Sequence, residues 1–264
     1  MEVLKELAIF NRVTFIEKEH SYLIDNKPSN NLSVTRLIKQ FKTTFDKEAA
    51  ALRVAKRTNT TVKQVLADWE LNNLCSTTMG SMLHKYIENF YSNKRVEFEG
   101  PFKGLGLYEK QKIISNLPTL IQYFQNFYND HKHLLCIKNE LVIGDINDTR
   151  VCGMSDLLCY NTQTNEIEIL DFKTNKKMEA KKPYGNLLFP FEDMSAGEVN
   201  EYTIQLNIYK YIIEKNTNLK IGKMKLVWFN VCNSNYVVIE LEDIQSKIKK
   251  MFLEVKRNFL FLEQ

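Results

Sequence analysis

The sequence predicts a mixed α/β fold with a central sheet of modest size. Three observations carry that expectation. A helical period over 78 to 91 places apolar side chains at 79, 82, 83, 86, 87 and 90. Three strand-like segments follow, at 134 to 144, 150 to 160 and 166 to 173, joined by polar turns. A helix at 200 to 215 then separates them from two further strands, 224 to 231 and 235 to 242, an order that suits a sheet with helices packed on it.

At the N-terminus, apolar and polar residues alternate around Tyr22-Leu23-Ile24, and Asp25-Asn26-Lys27-Pro28 supplies turn chemistry. This predicts a small hairpin leading into a helix capped near Ser33. Residues 46 to 73 read as two helices broken at Asn59-Thr60-Thr61, with Thr61 as the second N-cap. Arg53, Lys56 and Arg57 cluster on the first, either as a solvated face or as a DNA-backbone contact. Residues 105 to 130 predict a helical insertion kinked or split at Pro118, and an amphipathic helix begins near 243. The expected organisation is one domain over 1–264. It comprises an N-terminal hairpin and helical extension (1–76), a core (78–242) with an insertion at about 104–131, and a C-terminal helix (243–264).

With 264 residues, 44% of them hydrophobic, the chain can bury a full core. Its apolar runs are short and broken by charges, which predicts a soluble, cytoplasmic protein with no membrane partner. The five cysteines are scattered without a Cys-x-x-Cys pair, so neither a disulfide framework nor a zinc ribbon is expected. A net charge of +4 permits a nucleic-acid partner without demanding one, and the excess of lysine over arginine suits loose phosphate contact. The lysine- and asparagine-rich, alanine-poor composition points to an AT-rich genome, bacterial or phage.

The stretch EILDFKTNKK at 168 to 177 raises the question of chemistry. On a strand, Asp171 and Lys173 share the face that carries Ile167 and Ile169, so a core-facing side ends in an acid and a base. Four other acid-x-Lys pairs lie elsewhere: Asp25/Lys27 in a turn, Asp130/Lys132 at a helix end, Glu179/Lys181 in a loop, and Glu254/Lys256 in the last helix. What distinguishes Asp171/Lys173 is its neighbours. Glu140 and Asp156 interrupt the two preceding apolar strands, and a carboxylate there is costly unless paired or bound to metal. Each could be a surface acid neutralised by lysine. On three consecutive strands they suggest a shared hard cation, Mg²⁺ or Mn²⁺, which takes oxygen ligands and activates water against a phosphodiester.

The ordered set Gly80-x-x-x-His84, Glu140, Gly153-Met154-Ser155-Asp156, Asp171-Phe172-Lys173 and Gln205-x-x-x-Tyr209 resembles the PD-(D/E)xK nuclease superfamily, in its RecB-like branch. The likeness runs from about 78 to 232. Looser motifs, HSYLIDNKPSNNLSVTRLI, FDKEAA, LADWE and FPFEDM, extend it toward phage-type exonucleases related to the mitochondrial genome maintenance exonuclease. The resemblance implies a restriction-endonuclease-like core, with Asp156, Asp171 and the Phe172 carbonyl as metal ligands. Glu140 would complete the acidic cluster, and Lys173 would serve the nucleophile. His84 would add a ligand or a phosphate contact. Gln205 and Tyr209 would orient Lys173 or the DNA backbone, or else pack in the core. Cys232 is the only cysteine after Cys159, so no iron-sulfur cluster is expected, and without a G-x-x-x-x-G-K-[ST] segment no ATP site is expected either.

Beyond Lys173, the loop carries Lys176, Lys177, Lys181 and Lys182 among Tyr184, Phe189 and Phe191. Lysines track phosphates and aromatics stack on unpaired bases, although a basic loop tucked down by its aromatics has the same composition. The function expected is a metal-dependent deoxyribonuclease, an exonuclease on single-stranded or frayed DNA ends in replication, recombination or repair. The alternatives are an endonuclease of restriction or defence type and an inactive DNA-binding protein on the same fold. Oligomeric state is not legible.

Overall fold

In the computed structural model, residues 2–28, 32–95, 102–179 and 185–262 are described, the last five of them as backbone only. The N-terminal alternation forms α1 (Glu2–Leu7) and a three-stranded antiparallel sheet of β1 (Val13–Ile16), β2 (Ser21–Ile24) and β3 (Lys27–Pro28). Asp25 and Asn26 close the β2–β3 turn at φ 52° and 61°, a left-handed backbone that these short polar side chains tolerate. Ser33 caps α2 (Val34–Gln40) by accepting from the Arg36 N–H at 3.2 Å, as expected. Asn59, at φ 53°, then ends α3 (Lys47–Thr58), and Thr61 caps α4 (Val62–Tyr91).

Helix α4 is longer than the sequence reading had it. Its 30 residues run through 74–77, where a gap between two helices was expected, and the boundary placed at 76 to 78 falls inside it. The Thr77 hydroxyl donates back to the Asn73 carbonyl at 2.9 Å, which satisfies this polar stretch within the helix. Helix α5 (Leu107–Asp130) likewise continues past Pro118 instead of splitting there. A mid-helix proline costs about 3 kcal/mol. Burial of Ile113, Leu117, Leu120, Phe124 and Phe127 along the same helix offsets it.

The central sheet has the order β4 (Leu134–Gly144), β5 (Cys152–Asn161), β6 (Glu166–Lys173), β7 (Ile221–Trp228), β8 (Val237–Glu240). Neighbours are antiparallel except β6 and β7, which run parallel because α6 (Glu198–Asn216) carries the chain back between them. The fold is therefore mixed α/β, with helices on both faces of the sheet. On one face Ile167 and Ile169 pack with α6, α7 (Gln245–Leu262) and the N-terminal elements. On the other, Leu170 and Phe172 meet α4 and α5. Double burial is why Ile169 and Leu170 can be apolar on both faces in turn, and why the buried Glu168 between them and Ile167 is paired, with Lys225.

Seating of α6 on this sheet depends on one glycine. A Cβ at Gly153 would lie 2.6 Å from Tyr209 Cε1 and 3.0 Å from Val34 Cγ2, so the β5 backbone lies against the Tyr209 ring. Gly153→Ala is expected to destabilise the fold by about 1–3 kcal/mol through overpacking, read as a lower Tm. A Gly153→Ala/Tyr209→Leu double variant should lose less than the sum of the two single losses. Additive losses would mean that this contact is not the cause.

Candidate active site

The pairing of β5 with β6 ends at Leu157↔Leu170, whereas β6 stays paired with β7 as far as Lys173↔Trp228. Beyond Leu170 the strands part, and the carboxylates occupy the gap. Asp156 reaches across it, Oδ2 accepting from the Phe172 N–H at 2.8 Å in place of a ladder carbonyl. The Lys173 carbonyl accepts from Phe229 on the β7 side. Because consecutive residues alternate sides, the Phe172 carbonyl faces Asp156 with its own N–H, where the expected ligand role needs it.

Glu140 lies across from Asp156 between the pairs Asn139↔Leu157 and Leu141↔Ser155. Its φ is 47°, a left-handed backbone that costs a residue with a Cβ roughly 1–2 kcal/mol. Such strain clusters at functional sites. Asn139 next to it donates to the Glu88 carbonyl and to Ser92 Oγ, both at 3.1 Å, and so ties β4 to the end of α4. On α4, the His84 Nδ1 stands 3.5 Å from Asp156 Oδ2. Ligand atoms of His84, Glu140 and Asp156 all lie within 4.8 Å of one another. Gly80, one turn before His84, leaves room for the Thr174 hydroxyl, which a Cβ would meet at 3.0 Å. The close approach is to a side chain, not to another backbone.

Asp171 is buried, and its Oδ2 lies 2.6 Å from the Lys173 ammonium. It stands beside the three-residue group, not within it. With the lysine as its neighbour, that buried carboxylate oxygen still keeps a second lone pair that it can offer a cation. Two carboxylates, an imidazole and this neighbouring oxygen fit a hard divalent ion such as Mg²⁺ or Mn²⁺.

Electrostatics follow from crowding acids in a partly closed site. Burial, then the charges of Asp156, Glu88 and Asp171, push the Glu140 carboxyl up to about 8. Burial and the Asp156 charge raise Asp171 to about 6 against the pull of Lys173. Burial disfavours the Lys173 ammonium, but Asp171 and Asp156 outweigh it and hold its pKa well above the usual lysine value. The lysine stays charged and cannot act as a base near neutral pH.

His84, Glu140 and Asp156 line a cleft of about 830 Å³ whose other walls include Phe15, Glu17 and His20 of the N-terminal sheet, Ser76 and Thr77 of α4, and Asn175, Lys176 and Tyr202, whereas Asp171 and Lys173 lie behind its surface. Trp228 Nε1 and Asn230 Nδ2 donate to the Asn175 carbonyl at 2.7 and 3.0 Å and fix the start of the loop after β6. Tyr202 was missed by the sequence reading. Its ring lies under the Lys173 ammonium at 4.5 Å, and its hydroxyl contacts Asn175 Oδ1 at 3.0 Å. Its place on the same helix face as Gln205 and Tyr209 was the available signal.

Gln205 donates to the Tyr209 hydroxyl at 2.8 Å, and Tyr209 is buried in the core. Tyr202, not this pair, touches Lys173. Of the expected DNA contacts, Lys176 lines the cleft, and Lys177 is exposed beside it and paired with Glu179 at 3.3 Å. Arg53 and Arg57 sit on the exposed side of α3 and do not line the cleft. Phe191 is buried against Phe41, while Phe189 is exposed. Lys181, Lys182 and Tyr184 lie outside the described residues.

No family model and no curated protein matches the chain. Among solved structures, the crystal structure of a protein designated SSO0001 aligns over 72% of this chain and 85% of its own, at 12% identity and a TM-score of 0.32. That likeness is too slight to carry an argument about fold or function. No helix among the described residues is long and apolar enough to cross a membrane.

Glu140 and Asp171 have raised values, so the folded protein keeps protons that the unfolded chain has released. In EDTA the contribution of these two acids to stability is expected to be full below about pH 4 and to be lost as pH rises to about 8, the values at which they ionise in the unfolded and folded states. Thermal unfolding across that range checks the slope, and Glu140→Gln should flatten it. Binding of Mn²⁺ should tighten over the same range as the ion displaces these protons. A pH-independent affinity by calorimetry would remove Glu140 from the binding group.

Proposed function

We propose that this chain is a metal-dependent nuclease of the PD-(D/E)xK type, hydrolysing phosphodiester bonds of DNA with a preference for single-stranded or frayed ends. The observation that carries the reading is convergence. His84, Glu140 and Asp156, from a helix and two strands, meet on the wall of an open cleft, and Asp171, buried and ion-paired with Lys173 on a third strand, lies close behind them. A structural ion pair has no need of a strained glutamate and an imidazole beside it.

His84, Glu140 and Asp156 would hold the ion, with Asp171 and the Phe172 carbonyl at its edge. When bound, the ion neutralises the phosphodiester and acidifies a water. Asp171 and the Tyr202 ring fix the Lys173 ammonium where it can steady charge developing on the phosphoryl oxygens. Lys176 supplies a cation to the backbone of the strand, and Phe15 and His20 offer rings to its bases.

Asp171→Asn and Lys173→Ala are expected to lower cleavage of a labelled single strand by about 10²-fold or more, with folding intact by circular dichroism. Full activity in either variant, or activity undiminished by EDTA, would sink the assignment. Tyr202→Leu should cost roughly 2–30-fold in kcat, the worth of one cation–π contact, whereas Tyr202→Phe keeps most of the rate. Comparing closed circular with linear, end-labelled DNA separates the exonuclease from an endonuclease: cutting of the closed circle would favour the latter.

A further inference from the structure

Along the seam between α4 and β4 lies a second cavity of about 730 Å³, on the far side of the Asn139 tether from the acidic cleft. Its cations come from two connections. Lys94 and Arg95 follow the end of α4, and Lys132 lies between α5 and β4. All three side chains are exposed, and no Asp or Glu lines the cavity among the described residues. Three aromatic rings stand in the remaining wall, beside Asn89, Asn93, Leu134 and Cys136. Phe90 and Tyr91 pack edge-on to Tyr128, with centroids 4.8 and 6.2 Å away, and the Lys132 ammonium lies 3.8 Å over the Tyr128 ring. Leu135 stands 53% exposed beside them.

Charge and shape together select the occupant. Three cations without a lining acid attract a polyanion. Rings and an exposed leucine beside them suit the faces of unpaired bases, which an acidic peptide lacks. Position adds a third argument. Along β4, Glu140 of the acidic group lies four positions beyond Cys136 in this cavity, a span of about 14 Å. Along α4, Tyr91 and His84 are about 10 Å apart by helical rise. Either distance is that of about three to four stacked nucleotides.

We propose that this groove is a second strand-binding subsite, which anchors a single-stranded nucleic acid about three to four nucleotides from the phosphate held in the cleft. The assignment rests on the hydrolytic reading of that cleft. Lys94, Arg95 and Lys132 take the phosphates, Tyr91 and Leu135 face the bases, and Tyr128 holds the Lys132 ammonium in place.

The test is the triple variant Lys94→Ala/Arg95→Ala/Lys132→Ala, which leaves every proposed catalytic residue in place. It is compared with the wild type on a single strand of about 12 nucleotides and on a trinucleotide too short to span both sites. Expected are a KM for the longer strand raised about 10-fold, a shallower salt dependence, and unchanged kcat and trinucleotide hydrolysis. Equal KM values on the longer strand would overturn the subsite and leave the reading of the cleft standing. Hydrolysis of neither length by the wild type would overturn the cleft reading instead. The groove is then judged by fluorescence anisotropy of the same labelled strand, where undiminished binding by the variant refutes it. Displacement of that strand by an oligoglutamate of equal length and at equal concentration would assign the groove to an acidic protein partner and also refute it.

Discussion

One hydrogen bond organises the centre of this molecule: Asp156 Oδ2 accepting from the Phe172 N–H at 2.8 Å. It spans the gap where β5 and β6 have stopped pairing. A side-chain carboxylate does there what a backbone carbonyl does elsewhere in the sheet. Without it the Phe172 N–H would be buried and unsatisfied, at a cost of about 1–3 kcal/mol. With it, the strands can diverge enough to admit the Asp171 and Lys173 side chains and still be held in fixed relation. The gap is a sheet defect, stabilised by the residue that gives the defect its chemistry.

Around that bond the site is built from groups that would destabilise an ordinary sheet. Asp171 is buried, Glu140 is both strained and partly buried, and their like charges reinforce one another. What tolerates them is the apolar scaffold on either side. Ile167 and Ile169 are sealed by α6 and α7, Leu170 and Phe172 by α4 and α5, so β6 is gripped on both faces on either side of Asp171. The Asn139 tether and the Trp228 and Asn230 donors then fix the walls of the cleft from outside the charged group. Rigid positioning by groups that take no part in the chemistry suits a site whose task is to place charge where it will develop.

Much of this was legible in the chain. Periods of two and of 3.6 residues located the strands and most helix ends, because side-chain direction follows backbone geometry wherever a face is buried. Ser33, Asn59 and Thr61 marked helix boundaries through their own local hydrogen bonds or backbone, which need no distant partner. Illegible were features set by packing. The continuity of α5 through Pro118 comes from burial of its apolar face, and that of α4 through 74–77 rests on burial of Cys75 and on the Thr77 hydroxyl bonding within the helix, both of which override local propensity. Phe189 and Phe191 looked equivalent in the loop, yet Phe41 buries only the second.

The candidate site divides in the same way. The sequence by itself determined which acids interrupt apolar strands and that Asp171 and Lys173 share a face, since both facts follow from the period of a strand. Only the tertiary structure decided that His84 meets Asp156, that Asp171 turns to Lys173, and that Tyr202 rather than Gln205 or Tyr209 supports the lysine. It also decided that Gly153 is glycine because a tyrosine ring lies on the strand there. Apart from the Asp171–Lys173 pair, those relations join residues tens of positions apart, and their geometry exists only once α4 and α6 have closed on opposite faces of the sheet.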